Sequence, residues 1–254
     1  MATQASAASA VFEREHRFFF IIACVMAFIL VAGFSTSIIF GRSSFSSPII
    51  FHIHAFVFFG WVTLYLVQTG LVATGSTVLH KRLGWLALGW VPVMVGMGLA
   101  MTRHSVRTTG APFFFDKNEF LIGNSIGIVC FAGLVGWAIM MRRRTDWHRR
   151  LMLCAMASIT GPGFGRLLPM PFIIPWAWWI SAVLFPAFFV MAGMIADRRR
   201  IGHVHPAYLW GLALMVGSQV LADAIAYSPV GYAITQAVTA GAPGAARPMR
   251  AQFP

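Results

Sequence analysis

The chain has 254 residues, of which 58% are hydrophobic and only 10% charged, with a mean hydropathy of +0.75. A soluble domain carries about a quarter charged residues, so this composition excludes one. The formal charge of +12 does not indicate nucleic-acid binding, because the Lys and Arg residues lie between apolar runs, where they orient the chain and meet anionic lipid heads.

Runs of about 20 apolar residues, enough to cross a hydrocarbon core of roughly 30 Å, occur at 18–40, 49–74, 83–102, 120–141, 149–168, 173–196 and 206–227. The expected fold is an all-α, polytopic, seven-transmembrane-helix bundle over 18–227. Residues 1–17 form a cytoplasmic N-terminal segment. Residues 228–254, rich in Ala, Gly and Pro, are expected to be a flexible tail. One set of loops holds Arg14, Arg17, Lys81, Arg82, Arg142, Arg143, Arg144, Arg149, Arg150, Arg198, Arg199 and Arg200; the other holds Arg42, Arg103, Arg107, Lys117, Arg166, Arg247 and Arg250. The positive-inside rule places the first set in the cytoplasm. A multi-pass protein of a bacterial inner membrane is therefore expected.

The first run, 18–40, is longer than the roughly 7–15 residues of a signal-peptide core and reads as a span. The second contains "FHIHAFVFFGWVTLYLVQ". At 3.6 residues per turn, His54, Phe58, Trp61, Tyr65 and Gln68 share one narrow stripe, whereas His52 points nearly the opposite way. That stripe is the one to bury, either as a helix seam or as a site, because polar groups facing lipid are costly. The third run opens with "LHKRLGW". The loop after it carries His104 and "APFFFD", an interfacial loop or a lid. The fourth run places Glu119 at its boundary and Asn124 within it. The fifth opens with "DWHRRLML" and is interrupted by "ITGPGFGRLLPMP", whose Gly-Pro-Gly removes helix hydrogen bonds and so needs protein or a wet cavity around it. Trp176, Trp178 and Trp179 open the sixth as an aromatic belt. The seventh opens with "HVHPAYLWG" and carries Gln219 and Asp223. Cys24, Cys130 and Cys154 lie inside runs and make no disulfide framework.

Depth counting brings His54, Glu119, Arg166 and Asp223 to the same leaflet. These are the candidate acid–base groups, with Trp61, Tyr65, Gln68, Asn124 and Gln219 as pocket residues. His54, Arg166 and Asp223 are expected to share one cavity, the acid and the guanidinium neutralising each other. On the opposite face, histidines begin three helices. His80, His148, His203 and His205 are either interfacial anchors or ligands of a haem b, which usually needs two His facing one another across helices. His52, His54 and His104 are candidate ligands of a transition metal.

"LHKRLGW", "DWHRRLML" and "HPAYLWG" together resemble segments of uncharacterised bacterial multi-span proteins with HRxLG-type and HPxxLWG-type motifs. More distantly, histidine before a span is similar to cytochrome b561-like haem membrane proteins. That resemblance implies electron transfer through haem. Three functions stay open: a haem or metal redox protein, a cofactor-free membrane enzyme acting on a lipid, quinone or terpenoid-like substrate, and a transporter or sensor with a polar cavity. Membrane lipids, and a quinone or lipid-like small molecule, are the expected partners.

Overall fold

The computed structural model describes residues 2–253, with side chains from residue 15 onward. It is built from helices: α1 (Ala2–Ile39), α2 (Ile49–Ala73), α3 (Thr77–Gly84), α4 (Leu86–Thr108), α5 (Lys117–Met140), α6 (Thr145–Ser158), α7 (Gly161–Leu167), α8 (Ala177–Trp179), α9 (Phe185–Ile201), α10 (Pro206–Ala226) and α11 (Pro229–Thr239). Six segments among the described residues are long and apolar enough to cross a membrane: Glu15–Ile39, Ile49–Ala73, Leu86–Thr108, Lys117–Met140, Ala177–Ile201 and Pro206–Ala226. The chain is an all-α, multi-pass membrane protein.

The expected fifth span is instead two short helices. At 1.5 Å per residue, α6 reaches only about 21 Å. It stops at Ile159, and Pro162 starts α7 at a position where a missing N–H does no harm. Small residues let the second piece approach α1 closely. A Cβ on Gly33 would lie 2.5 Å from Gly163 O, and one on Gly163 would lie 3.0 Å from Ile29 O. Both obstacles are backbone and cannot rotate away. Gly33→Leu should therefore force α1 and α7 apart, a cost of about 1–3 kcal/mol, read as a lower unfolding midpoint of the full chain in detergent. An unchanged midpoint would mean the contact is slack.

A wide π turn, Ile180–Leu184, joins α8 to α9. Pro186 follows it. Its ring would crowd the carbonyl four residues back and offers that carbonyl no N–H, and a wide turn relieves the conflict. Trp178 and Trp179 lie before it, and Asp197 lies after it.

The core is the seam where α1, α2, α4, α5, α6, α9 and α10 meet. It includes Met26, Trp61, Tyr65, Met94, Phe131, Leu134, Leu151, Leu153, Met156, Val190 and Tyr208. Lipid-facing residues such as Phe28, Ile39, Phe56 and Met140 remain exposed, as expected where the surroundings are hydrocarbon.

The two ends of the bundle are held differently. At the Arg-rich end, Arg150 donates through Nε to Asp197 Oδ2 at 2.7 Å and through Nη2 to Asp197 Oδ1 at 2.9 Å. Arg200 reaches the same carboxylate at 3.0 Å, and Glu15 takes Arg149 at 2.8 Å and Arg150 at 3.3 Å. This network ties α1, α6 and α9 together. At the opposite end, residues 229–251 are not the loose tail the composition implies. They form α11, a 3₁₀ turn at Pro243–Ala246 and a strap across the α4–α5 loop. Arg247 donates to the carbonyls of Gly110, Ala111, Phe113 and Phe115, and Lys117 Nζ donates to Gly244 O and Arg247 O. Backbone groups join in, Lys117 N to Met249 O at 2.7 Å and Ala251 N to Asp116 Oδ1 at 2.6 Å. The Ala, Gly and Pro content of these residues carries no sign of that order. Two cations with carbonyl partners give them a fixed path.

Candidate functional site

The near repeat HKRL (80–83) and HRRL (148–151) becomes a physical pair. His80 in α3 and His148 at the start of α6 stand with ring centres 6.3 Å apart and planes at 75°. His148 Nδ1 lies 2.7 Å from Ala138 O on α5. A carbonyl only accepts, so in the neutral ring the proton sits on Nδ1 and Nε2 keeps its lone pair. His80 Nδ1 is buried without a hydrogen-bond partner, and so is Gln68 Oε1 on the facing turn of α2. Burial holds His80 below the ordinary histidine range, with the neighbouring His148 adding to it; a hydrogen bond to the Gln68 backbone opposes the shift without reversing it, and Lys81 adds a smaller push downward. Its ring is therefore neutral near pH 7, the form that can ligate.

The other two candidate histidines of this face separate from the pair. His205 caps α10, Nδ1 accepting from Ala207 N at 3.1 Å, so its proton is on Nε2 and goes to Asp146 Oδ2 at 3.0 Å. With both nitrogens engaged, His205 is corrected from a ligand to a cap and anchor. Burial works against the Asp146 carboxylate, but the bond from His205 and backbone N–H groups outweigh it and hold the acid below its usual range. His203 is exposed, with Nδ1 on Ile201 O. Among the described residues, its ring contacts neither His80 nor His148.

The expected metal set does not assemble. His52 is exposed, with Nε2 on Ser47 O, His54 stacks on Phe58, and His104 meets the edge of Phe51. Among the described residues, no group of three or more His, Cys, Asp or Glu is placed to hold an ion. The reason lies in the helix: two residues of separation turn His52 and His54 to opposite sides of α2.

At the opposite end the expected single cavity divides in two. Asp223 Oδ2 accepts from Trp179 Nε1 at 2.7 Å and Oδ1 from Gln219 Nε2 at 2.7 Å, while Gln219 Oε1 accepts from Trp178 Nε1 at 2.9 Å. Glu119, buried on α5, lies near Asp223 and Asp116. Arg166 is elsewhere. Its Nη1 donates to Pro162 O at 2.8 Å, and its guanidinium lies 3.9 Å from the ring centre of Phe34. The expected Asp223–Arg166 pair is thus corrected: indole and amide donors satisfy the acid's oxygens, and a carbonyl and an aromatic face hold the cation. Arg166 keeps only His54 from the expected group, as the charged residue facing that ring. Asn124 donates to Phe120 O within its own helix.

The α2 stripe is buried as its periodicity predicts, with Trp61 and Tyr65 almost fully enclosed. His54 Nδ1 and Trp61 Nε1 on it have no protein partner. Sequence reasoning overlooked Ala138 O, which sets the His148 tautomer, and the indoles of Trp178 and Trp179, which read as a membrane belt. Trp residues at i and i+1 opposite a Gln–Asp pair at i and i+4 were the available signal.

No family model, no curated protein and no solved structure matches this chain. Geometry and chemistry therefore carry the functional reading.

Proposed function

We propose that the chain is a membrane redox protein in which His80 and His148 together hold a haem b or a single transition-metal ion at the cytoplasmic side of a bacterial inner membrane. The His80–His148 pair carries this reading. Ring centres 6.3 Å apart leave room for one metal ion between the two imidazoles, at bonds of about 2.0–2.1 Å to nitrogen. The orphaned His80 Nδ1 is a buried polar atom that a metal ligand bond would satisfy. Ala138 O does for His148 what an outer-shell acceptor does for a metal-binding histidine, fixing tautomer and ring angle.

When bound, the iron of a haem supplies one-electron exchange. The chain's own residues do the rest. His148 and His80 offer lone pairs, Ala138 O orients the first, and Gln68 presents an unpaired carbonyl beside them. Arg142 and Arg144, anchored over Trp85 and Trp147, line the same face and suit carboxylate groups. A quinone or lipid-like small molecule is the partner that suits such a site in a membrane.

Expression with haem supply should give a purified protein with a Soret band. His80→Ala and His148→Ala should each lower that absorbance at least about tenfold, since loss of a ligand shell member typically costs 10–100-fold in metal affinity. Full haem and metal content in both variants would remove the pair as ligands.

The alternative is a cofactor-free membrane enzyme acting on a lipid, quinone or terpenoid-like substrate. It is favoured by the cluster at the other end, where buried Glu119 lies beside Asp223 and can act with it in acid–base chemistry. Asp223→Asn abolishing turnover of a chain that contains no metal would select it.

We place the N-terminus in the cytoplasm and count α6 with α7 as one interrupted crossing, which makes seven. Glu15, Arg149 and Asp197, from the start of the first span, the start of α6 and the end of α9, meet at one end, and Asp116 meets Tyr227 at the other, as alternating crossings require. A C-terminal alkaline phosphatase fusion should be active in a bacterial host. Activity of a cytoplasmic reporter at the same point would reverse the orientation.

A further inference from the structure

Separate from the histidine pair, an open groove of about 210 Å³ lies at the ends of α1 and α7, lined by Thr36, Phe40, Arg42, Arg166, Leu167, Leu168 and Pro169. Two of these residues are cations and none is acidic. Arg166 is a half-buried cation on α7 at the end of the bundle, and a charge drawn into hydrocarbon costs a few kcal/mol on insertion scales unless compensated. The compensation from protein is incomplete. Among the described residues, its guanidinium donates one hydrogen bond to protein, to Pro162 O, out of the five N–H groups it carries. The face of Phe34 covers one side. The acid expected to pair with it, Asp223, is satisfied by Trp179 and Gln219. His54, whose Nδ1 is buried and unpartnered, faces the same cation.

The site is built to hold this cation in place. Gly33 and Gly163 bring α7 onto α1 at backbone contact, and Pro162 supplies the carbonyl that positions the arginine one turn later. Apart from Thr36, whose hydroxyl donates to Gly33 O within its own helix, the rest of the wall is apolar, and Phe40 and Leu167 are exposed. A groove of this volume is large enough to seat a small charged head. An anion there would meet a planar donor fork in Arg166 and a second cation in Arg42, while a chain attached to it would leave along Phe40 and Leu167 into hydrocarbon.

We infer that this groove binds the anionic head, a phosphate or carboxylate, of an amphiphile whose apolar chain lies against Phe40 and Leu167. The ligand compensates Arg166, and the two arginines select against zwitterionic and neutral heads.

The test is isothermal titration of the purified full chain, in a neutral maltoside detergent, with dodecyl phosphate and separately with inorganic phosphate. Dodecyl phosphate should bind, and inorganic phosphate at least about tenfold more weakly. Arg166→Gln and Arg42→Gln should each weaken dodecyl phosphate binding at least about tenfold. Arg42 is exposed in the α1–α2 loop, so its variant keeps the helix packing even where loss of Arg166 disturbs folding. Undiminished binding by the Arg42→Gln chain would overturn the proposal. So would no binding by the native chain, or equal affinity for inorganic phosphate, which would make the groove a site for a free anion and not for an amphiphile.

Discussion

Replacing Arg150 with methionine is expected to destabilise the folded chain by about 3 kcal/mol, the lower part of the range for removing one member of a buried ion pair. Asp197 is fully buried, and Arg150 is 2% exposed. Their two hydrogen bonds are a bidentate fork, the geometry in which guanidinium and carboxylate bind most strongly. Without Arg150, Asp197 keeps only Arg200, whose side chain is partly in solvent, and Tyr208 loses the cation over its ring. The helices α6 and α9 are tied at this point. The measurement is the unfolding midpoint of the full chain in detergent. The double variant Arg150→Met with Asp197→Leu should recover most of the loss, because it removes the stranded charge along with its partner. If the single variant unfolds at the native midpoint, the pair is not a structural tie.

Arg247→Ala should release the strap without unfolding the bundle. One guanidinium holds four carbonyls of the α4–α5 loop, and hydrogen bonds to a charged group contribute roughly 1.5–3 kcal/mol each when well enclosed. Arg247 is half-buried, so a local loss of about 2 kcal/mol is the more realistic total. Ala111, with φ +74°, depends on this clamp, since an L residue rarely holds that conformation unaided. Amide exchange in 110–117 and 229–251 should accelerate at least about tenfold, as about 1.4 kcal/mol of lost local stability requires, while exchange in α6 and α9 stays as it was. Lysine at 247 keeps the charge but lacks the planar fork, and should give an intermediate rate. Unchanged exchange in both segments would mean that the strap is held by α11 alone.

The helical content, the membrane class and the burial of Trp61 and Tyr65 were legible because each depends on one dimension, distance along the chain. The meeting of His80 with His148 was legible as a repeat at equivalent helix starts. What failed depended on the angle about each helix axis. Depth counting put Asp223 and Arg166 at the same end of the bundle, but depth does not say which helices are neighbours. α10 presents Asp223 to Trp179, while α7 presents Arg166 to α1. Arg150 was similarly hidden. In a run of basic residues at a membrane face, nothing local marks the one that turns inward to Asp197. The C-terminal residues were misread because their order comes from Lys117 and Arg247 reaching carbonyls more than a hundred residues away in sequence.

The wide turn at Ile180–Leu184 separates two obligations that one straight helix could not meet together. Before it, Trp178 and Trp179 must aim at Gln219 and Asp223 on α10; after it, Asp197 must aim at Arg150 on α6. A single extra residue in a helix shifts everything downstream by about 100°. The turn therefore acts as a phase adjuster between the two membrane faces. Each end of this crossing is free to drift in sequence without re-aiming the other, provided the residue count between Trp179 and Asp197 is kept. Removal of any one residue within 180–184 would swing one face of the protein out of register with its partners.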